Sequence, residues 1–134
     1  MKTKGWGRIV NITSCAGLEN MGPVTYGIAK SSLTTYSRTM GRILATEGGE
    51  VVMTAVFPGV VVTEGGHWDK ILKNDPQRAE KYLEERCPLG RFGLPSEIAP
   101  VVAFYCSHHA SFSHGAIIPV DAGQARSYMY HNYL

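Results

Sequence analysis

Two short apolar segments flank one long helical pattern near the start of the chain. The run Arg8-Ile9-Val10-Asn11-Ile12-Thr13 and the run from Glu50 to Phe57 are short and rich in β-branched residues, as buried strands are. Between them, apolar residues recur at helical spacing from about Val24 to Thr46, and Gly48-Gly49 ends the pattern. A strand, a helix and a strand with short connections predict parallel strands and a right-handed crossover.

The remaining segments continue this alternation. Apolar and aromatic residues between positions 60 and 90 predict one or two short helices over a cleft, with Trp68 either lining that cleft or packed beneath it. Pro95 opens a helix that we expect to end near Ser107, and Ala116 to Val120 forms a last strand. The class is therefore α/β. The 134 residues are enough for a single domain, residues 1–134, in which 124–134 form a C-terminal tail.

Composition excludes several classes of function. Hydrophobic residues make up 44% and charged residues 18%, as in an ordinary soluble globular protein, and a net charge of +2 is too small to favour nucleic acid. No apolar run is long enough for a membrane span. Cys15, Cys87 and Cys106 match neither a zinc pattern nor a disulfide framework. We expect free thiols in the cytoplasm, no metal site, and neither nucleic acid nor membrane as a partner.

Three residues near the first strand and helix form a candidate catalytic group. Tyr26 and Lys30 are four positions apart, so one helical face presents both a phenol and an ammonium. Ser14 follows the first strand, and its hydroxyl can approach both if that strand ends beside them. Such a group suits proton transfer to a carbonyl or alcohol oxygen, whereas the plainer interpretation is a half-buried aromatic, a solvated lysine and a serine that bonds its own loop.

Five ordered blocks resemble the short-chain dehydrogenase/reductase family, and together they extend to about residue 125. The blocks are Gly7-Arg8-Ile9-Val10-Asn11-Ile12-Thr13-Ser14 with Gly17; Tyr26-x-x-x-Lys30; Pro58-Gly59 with Thr63; Pro88-Leu89-Gly90-Arg91-Phe92-Gly93 with Pro95 and Glu97-Ile98-Ala99; and Val120-Asp121-x-Gly123. The resemblance implies a partial Rossmann-like, doubly wound parallel sheet that comprises the last three strands and their helices.

The resemblance also implies a reaction and a role for each matched residue. Tyr26 is the general acid/base, Lys30 binds the nicotinamide ribose and favours the phenolate by its charge, and Ser14 orients the substrate oxygen. The residues that face the nicotinamide are Tyr26, Lys30, Pro58, Gly59, Val61 and Thr63. The implied activity is reversible hydride transfer between NAD or NADP and a small carbonyl or alcohol substrate, by an enzyme that assembles as a homo-oligomer.

The family's Gly-x-x-x-Gly-x-Gly turn, which holds the cofactor pyrophosphate, does not occur in these 134 residues. We therefore expect a truncated chain that corresponds to the second half of a reductase and binds NAD or NADP weakly or not at all. The alternative is a non-catalytic remnant that acts only through its oligomerisation surface, and a third interpretation is an α/β binding domain without hydride chemistry. The substrate and the choice between NAD and NADP stay open.

Overall fold

A parallel three-stranded sheet forms the centre of the molecule in the computed structural model, which describes residues 1–19 and 21–126. Strands β1 (Gly7–Ile12), β2 (Val51–Pro58) and β3 (Ile117–Val120) lie in the order β1-β2-β3. Ile12 stands opposite Val56, and Ala55 stands opposite Ile117. The predicted parallel strand–helix–strand unit is confirmed, because helix α1 (Val24–Thr46) connects β1 to β2.

Strand β2 is the most deeply buried element. Every residue from position 51 to 57 is buried, so both faces of the strand are covered, as the unbroken apolar run predicts. Helix α1 covers one face, where Leu44 packs with Val51 and Met53. The approach is close enough that a Cβ at Gly41 would lie 2.2 Å from the Gly115 nitrogen.

Two short helices follow β2, within the range where the sequence predicts one or two. They are α2 (His67–Asn74) and α3 (Pro76–Arg86), and the Asp75 carboxylate caps α3 by accepting a hydrogen bond from the Arg78 N–H at 3.2 Å. Trp68 on α2 is partly buried against Tyr82 of α3, with 4.2 Å between the ring centroids. This contact assigns Trp68 a packing role between the two helices.

Helix α4 (Pro95–Tyr105) begins at the proline predicted to open it. Leu94 cannot cap the helix with its own side chain, and Glu97 compensates because its carboxylate accepts from the Leu94 N–H at 2.9 Å. The helix ends two residues before the expected Ser107, because the Ser107 hydroxyl accepts from His109 N–H and starts a separate 3₁₀ turn, His108–Ala110. Of the helices in the described ranges, none has the length and apolar character needed to cross a membrane.

Candidate functional site

The carboxyl ends of β1 and β2 lie side by side, and the candidate residues follow both. Ile12, the last residue of β1, is level with Val56 near the end of β2. Ser14 comes two residues after β1, and the segment from Pro58 to Thr63 leaves β2. Ligands of open α/β sheets bind at this edge. The topology therefore brings both groups of sequence-predicted residues to the edge of the sheet where chemistry is expected.

The Ser14 hydroxyl caps the turn that follows it. It caps the 3₁₀ turn Cys15–Gly17, and its Oγ accepts a hydrogen bond from the Ala16 N–H at 3.2 Å. The hydroxyl of Ser14 therefore does bond its own loop, as the plainer interpretation of the sequence predicts. A hydroxyl that accepts one bond still has a proton to donate and a second lone pair. Ser14 can therefore hold its turn and bind a substrate oxygen together.

Tyr26 and Lys30 lie on the first turns of α1 and face each other. The Lys30 ammonium is 5.6 Å from the centroid of the Tyr26 ring, as the four-residue spacing predicts. Tyr26 is 45% exposed, so the residue is accessible from solvent. Lys30 Nζ also donates a hydrogen bond to the Ile12 carbonyl at 2.9 Å, which ties the start of α1 to the end of β1.

The Ser14 turn is pressed against this part of α1. A Cβ at Gly17 would lie 2.7 Å from the Lys30 carbonyl carbon and 2.8 Å from the Ser31 nitrogen, so only glycine fits there without a shift. On the helix side, a Cβ at Gly27 would lie 3.3 Å from the Ala16 oxygen. These contacts fix the Ser14 turn relative to the helix that carries Tyr26 and Lys30.

The turn after β2 packs against the chain that follows β3. The Gly59 N–H donates to the Val120 carbonyl at 3.1 Å, and a Cβ at Gly59 would lie 2.8 Å from the Asp121 Cα. The next N–H, that of Val60, donates to the Gln124 side-chain oxygen at 2.8 Å. Gly59 is therefore required by this close approach.

Val61 and Thr63 extend from this turn over the same edge. Val61 forms a parallel bridge with Gly93, and the Val62 N–H donates to the Gly93 carbonyl at 3.0 Å. Thr63 is exposed, and its carbonyl accepts from the Gly66 N–H at 2.9 Å in the turn that leads into α2. The Pro88–Gly93 block therefore has a structural role, because Gly93 pairs with the segment that carries Val61.

A small pocket lies beneath this segment, on the side of α4. It has a volume of about 110 Å³ and is lined by Val61, Leu89, Ile98 and Val120, among others. At its rim Arg91 donates two hydrogen bonds to Glu97, at 2.7 and 2.9 Å. These bonds, with the bond from the Leu94 N–H, lower the pKa of Glu97 to about 2. The pair braces the loop before α4.

Gln124, to which the sequence pattern assigns no role, contacts several segments that surround the candidate residues. It is buried and contacts the turn after β2, the Ser14 turn and α3. Burial raises the pKa of two of its neighbours, Cys15 and Tyr82. A single glutamine just after the Val120-Asp121-x-Gly123 block carries no periodic signal, so only the fold reveals its position.

Comparison with known proteins decides the family. Residues 1–125 match the family model described as enoyl-(acyl carrier protein) reductase. The chain belongs to the short-chain dehydrogenase/reductase family. It is 40% identical over 119 residues to 3-oxoacyl-[acyl-carrier-protein] reductase FabG of Aquifex aeolicus, which covers 88% of this chain and 45% of the relative. It is 33% identical over 124 residues to acetoacetyl-CoA reductase of Cupriavidus necator, covering 92% of this chain and 47% of the relative.

Solved structures of this family have the same arrangement of strands and helices. Levodione reductase superposes with a TM-score of 0.82 at 29% identity, covering 96% of this chain and 50% of the reductase. A putative 2-deoxy-D-gluconate 3-dehydrogenase from Agrobacterium tumefaciens, with bound NADP, superposes with a TM-score of 0.79 at 31% identity, over 91% of this chain and 48% of the enzyme. The α/β class and the partial Rossmann-like sheet are confirmed. This chain spans about half the length of the relatives it matches.

Proposed function

We propose that this chain carries the acid/base and nicotinamide-facing residues of an NAD(P)-dependent oxidoreductase that interconverts a carbonyl and an alcohol. The observation that carries the proposal is the Tyr26–Lys30 pair, with the ammonium 5.6 Å from the phenol ring and anchored to the end of β1. The relatives support the reaction class, since two are named as reductases of 3-oxoacyl-[acyl-carrier-protein] and acetoacetyl-CoA. A 3-oxoacyl thioester is accordingly the first substrate class to test.

In the proposed reaction the side chains of this chain handle the proton and the substrate oxygen. The Tyr26 hydroxyl donates its proton to the carbonyl oxygen as the carbon is reduced, and in the reverse direction the phenolate accepts it from the alcohol. The positive charge of Lys30 faces the phenolate that is left. Ser14 donates a hydrogen bond to the same substrate oxygen and fixes its direction. When bound, the nicotinamide supplies or accepts the hydride.

The residues present fit the nicotinamide half of NAD or NADP. Lys30 is the proposed donor to the ribose hydroxyls, and Pro58, Gly59, Val61 and Thr63 are the proposed wall beside the ring and its carboxamide. Support comes from the exposure of Thr63 and from the position of this segment at the carboxyl edge of the sheet. The 134 residues contain no Gly-x-x-x-Gly-x-Gly turn for the pyrophosphate, so the proposed binding by this chain is weak.

A second candidate function is assembly without catalysis. It is favoured by the large apolar side chains that α1 exposes, with Val24 at 77%, Ile28 at 62% and Tyr36 at 51%, and by the position of β1 at an edge of the three-stranded sheet. An unpaired strand edge beside an apolar helix face is suited to bind a second polypeptide. The proposed partner is another copy of the chain.

Carbonyl reduction separates the two candidates. The purified chain is assayed with acetoacetyl-CoA and millimolar NADPH or NADH, because weak binding is proposed, and formation of the 3-hydroxyacyl-CoA product is followed by chromatography. We expect Tyr26→Phe to lower turnover by at least about 10²-fold, because the proton donor is removed. Lys30→Ala is expected to be comparably damaging. Tyr36→Phe is the matched control, since Tyr36 is an exposed tyrosine on the same helix outside the site.

Near wild-type turnover in Tyr26→Phe would reject Tyr26 as the acid/base. Absence of any NAD(P)H-dependent reduction by the unmodified chain would favour assembly alone.

A further inference from the structure

Gln124 is a buried polar side chain with contacts to three separate segments. It is 5% exposed. Its side-chain oxygen accepts from the Val60 N–H at 2.8 Å and lies 3.9 Å from the Cys15 sulfur. Its side-chain nitrogen donates to the Tyr82 hydroxyl at 2.8 Å. Both ends of one amide group are therefore used.

The turn after β3 sets the direction of this side chain. The Asp121 carboxylate accepts from the Gly123 N–H at 3.1 Å and from the Ala125 N–H at 2.8 Å. Ala122 and Gly123 have left-handed φ angles of 53° and 78°, which reverse the chain tightly. The Gln124 N–H donates to the Asp121 carbonyl at 3.0 Å. Because its backbone is fixed in this way, Gln124 has little freedom to follow its partners.

Each partner belongs to a different part of the proposed site. Val60 lies in the turn proposed to face the nicotinamide, and Cys15 is the neighbour of Ser14. Tyr82 on α3 packs against Trp68 of α2 with the rings tilted by 46°, so a bond to Tyr82 links Gln124 to both helices of the α2–α3 pair. We propose that Gln124 is a positioning residue that fixes the turn at 59–60 and the α2–α3 pair relative to the Ser14 turn. The inference rests on the proposed function, which gives these segments their roles.

The chemistry of the amide explains why glutamine suits this position. One planar group offers an acceptor to Val60 and a donor to Tyr82. Methionine has a similar shape but neither function, so it leaves the part-buried Val60 N–H without its acceptor. Glutamate keeps the acceptor for Val60, and the Tyr82 hydroxyl can turn to donate to its second oxygen. Gln124→Met therefore removes the hydrogen bonds while it keeps the packing, and Gln124→Glu keeps both.

Amide hydrogen exchange tests the proposal without depending on catalysis. In Gln124→Met we expect the Val60 amide to exchange at least about tenfold faster, because its acceptor is gone. The Thr13 amide, which donates to the Val56 carbonyl in the β1–β2 pair, is the internal reference and keeps its rate. Gln124→Glu is expected to restore slow exchange at Val60. Tyr82→Phe keeps the ring and removes only the hydroxyl, so it is expected to accelerate exchange in α3 and leave Val60 protected.

Either of two exchange results would overturn the proposal. One is unchanged exchange at Val60 in Gln124→Met. The other is equal acceleration at Val60 and Thr13, which would show an ordinary contribution to global stability. Activity is measured on the same variants. We expect Gln124→Met to raise KM for the nicotinamide nucleotide more than it lowers kcat. Unchanged kinetics despite fast exchange at Val60 would also contradict the positioning role of Gln124. If the unmodified chain reduces no carbonyl, the proposed function fails, and exchange alone decides whether Gln124 holds these segments together.

Discussion

A methyl group added at Gly17 has no room between the Ser14 turn and α1. The Cβ of Gly17→Ala would lie 2.7, 2.8 and 2.9 Å from three backbone atoms of Lys30 and Ser31, and backbone cannot rotate away as a side chain can. Ordinary carbon contacts begin near 3.5 Å, so the turn and the helix must separate by roughly 0.5–1 Å. Overpacking of this kind costs about 2–3 kcal/mol, and the lower entropy of the unfolded alanine chain returns about 0.4–1 kcal/mol. The net loss is about 1–2.5 kcal/mol.

Thermal unfolding followed by circular dichroism measures this loss. A domain of this size changes Tm by about 3–5 °C per kcal/mol, so Gly17→Ala is expected to unfold about 3–12 °C below the unmodified chain. Gly27→Ala is the matched control, because its Cβ meets the Ala16 oxygen at 3.3 Å, a contact that needs a shift of only a few tenths of an ångström, and alanine favours the helix by about 1 kcal/mol. Its Tm is expected to fall by less than that of Gly17→Ala. If Gly17→Ala unfolds at or above the temperature of the unmodified chain, the turn is not pressed against α1 as described.

Two further predictions concern charge and assembly. NMR titration of the Glu97 carboxyl is expected to give a pKa of about 2, compared with an ordinary 4.5, and Arg91→Gln is expected to raise it while Arg78→Gln leaves it unchanged. Because folding lowers this pKa, ionised Glu97 stabilises the fold above pH 4.5. That contribution disappears as the pH falls from 4.5 to about 2. An unchanged Glu97 pKa in Arg91→Gln would contradict the assignment of the shift to Arg91. The apolar face of α1 and the open edge of β1 predict that the purified chain forms oligomers or aggregates at tens of micromolar, as measured by light scattering. A monodisperse monomer with a cooperative melt at an ordinary mesophile temperature would show that neither surface needs a partner.

Much of the fold could be predicted from local patterns in the sequence. Helix α1 spans Val24–Thr46, as its apolar periodicity and the following Gly48-Gly49 indicate. The buried β2 follows from its unbroken apolar run, and α4 begins at Pro95. These predictions agree with the structure because apolar periodicity and chain-breaking residues are local signals, and tertiary contacts do not override them here.

The parts of the site that depend on distant contacts could not be predicted. The four-residue spacing places Lys30 beside Tyr26, but its bond to the Ile12 carbonyl requires the fold of β1 against α1. The steric need for glycine at position 59 comes from Asp121, 62 residues away in sequence. The sequence pattern places Gln124 in the C-terminal tail, because nothing in the neighbouring residues distinguishes a buried amide from an exposed one. Such contacts become visible only when the segments that follow β2 and β3 are placed together.

NMR mapping of nucleotide-fragment binding to this chain tests whether Lys30 and the 58–63 segment face the nicotinamide ribose and ring. We predict that NADPH and nicotinamide mononucleotide both shift the amide signals of Lys30, Val61 and Thr63, with dissociation constants no tighter than millimolar, equivalent to about 4 kcal/mol. Adenosine diphosphate is the control and is expected to leave these signals in place, since the chain contains no glycine-rich turn for a pyrophosphate. Shifts confined to other residues, or equal shifts with adenosine diphosphate, would contradict the account.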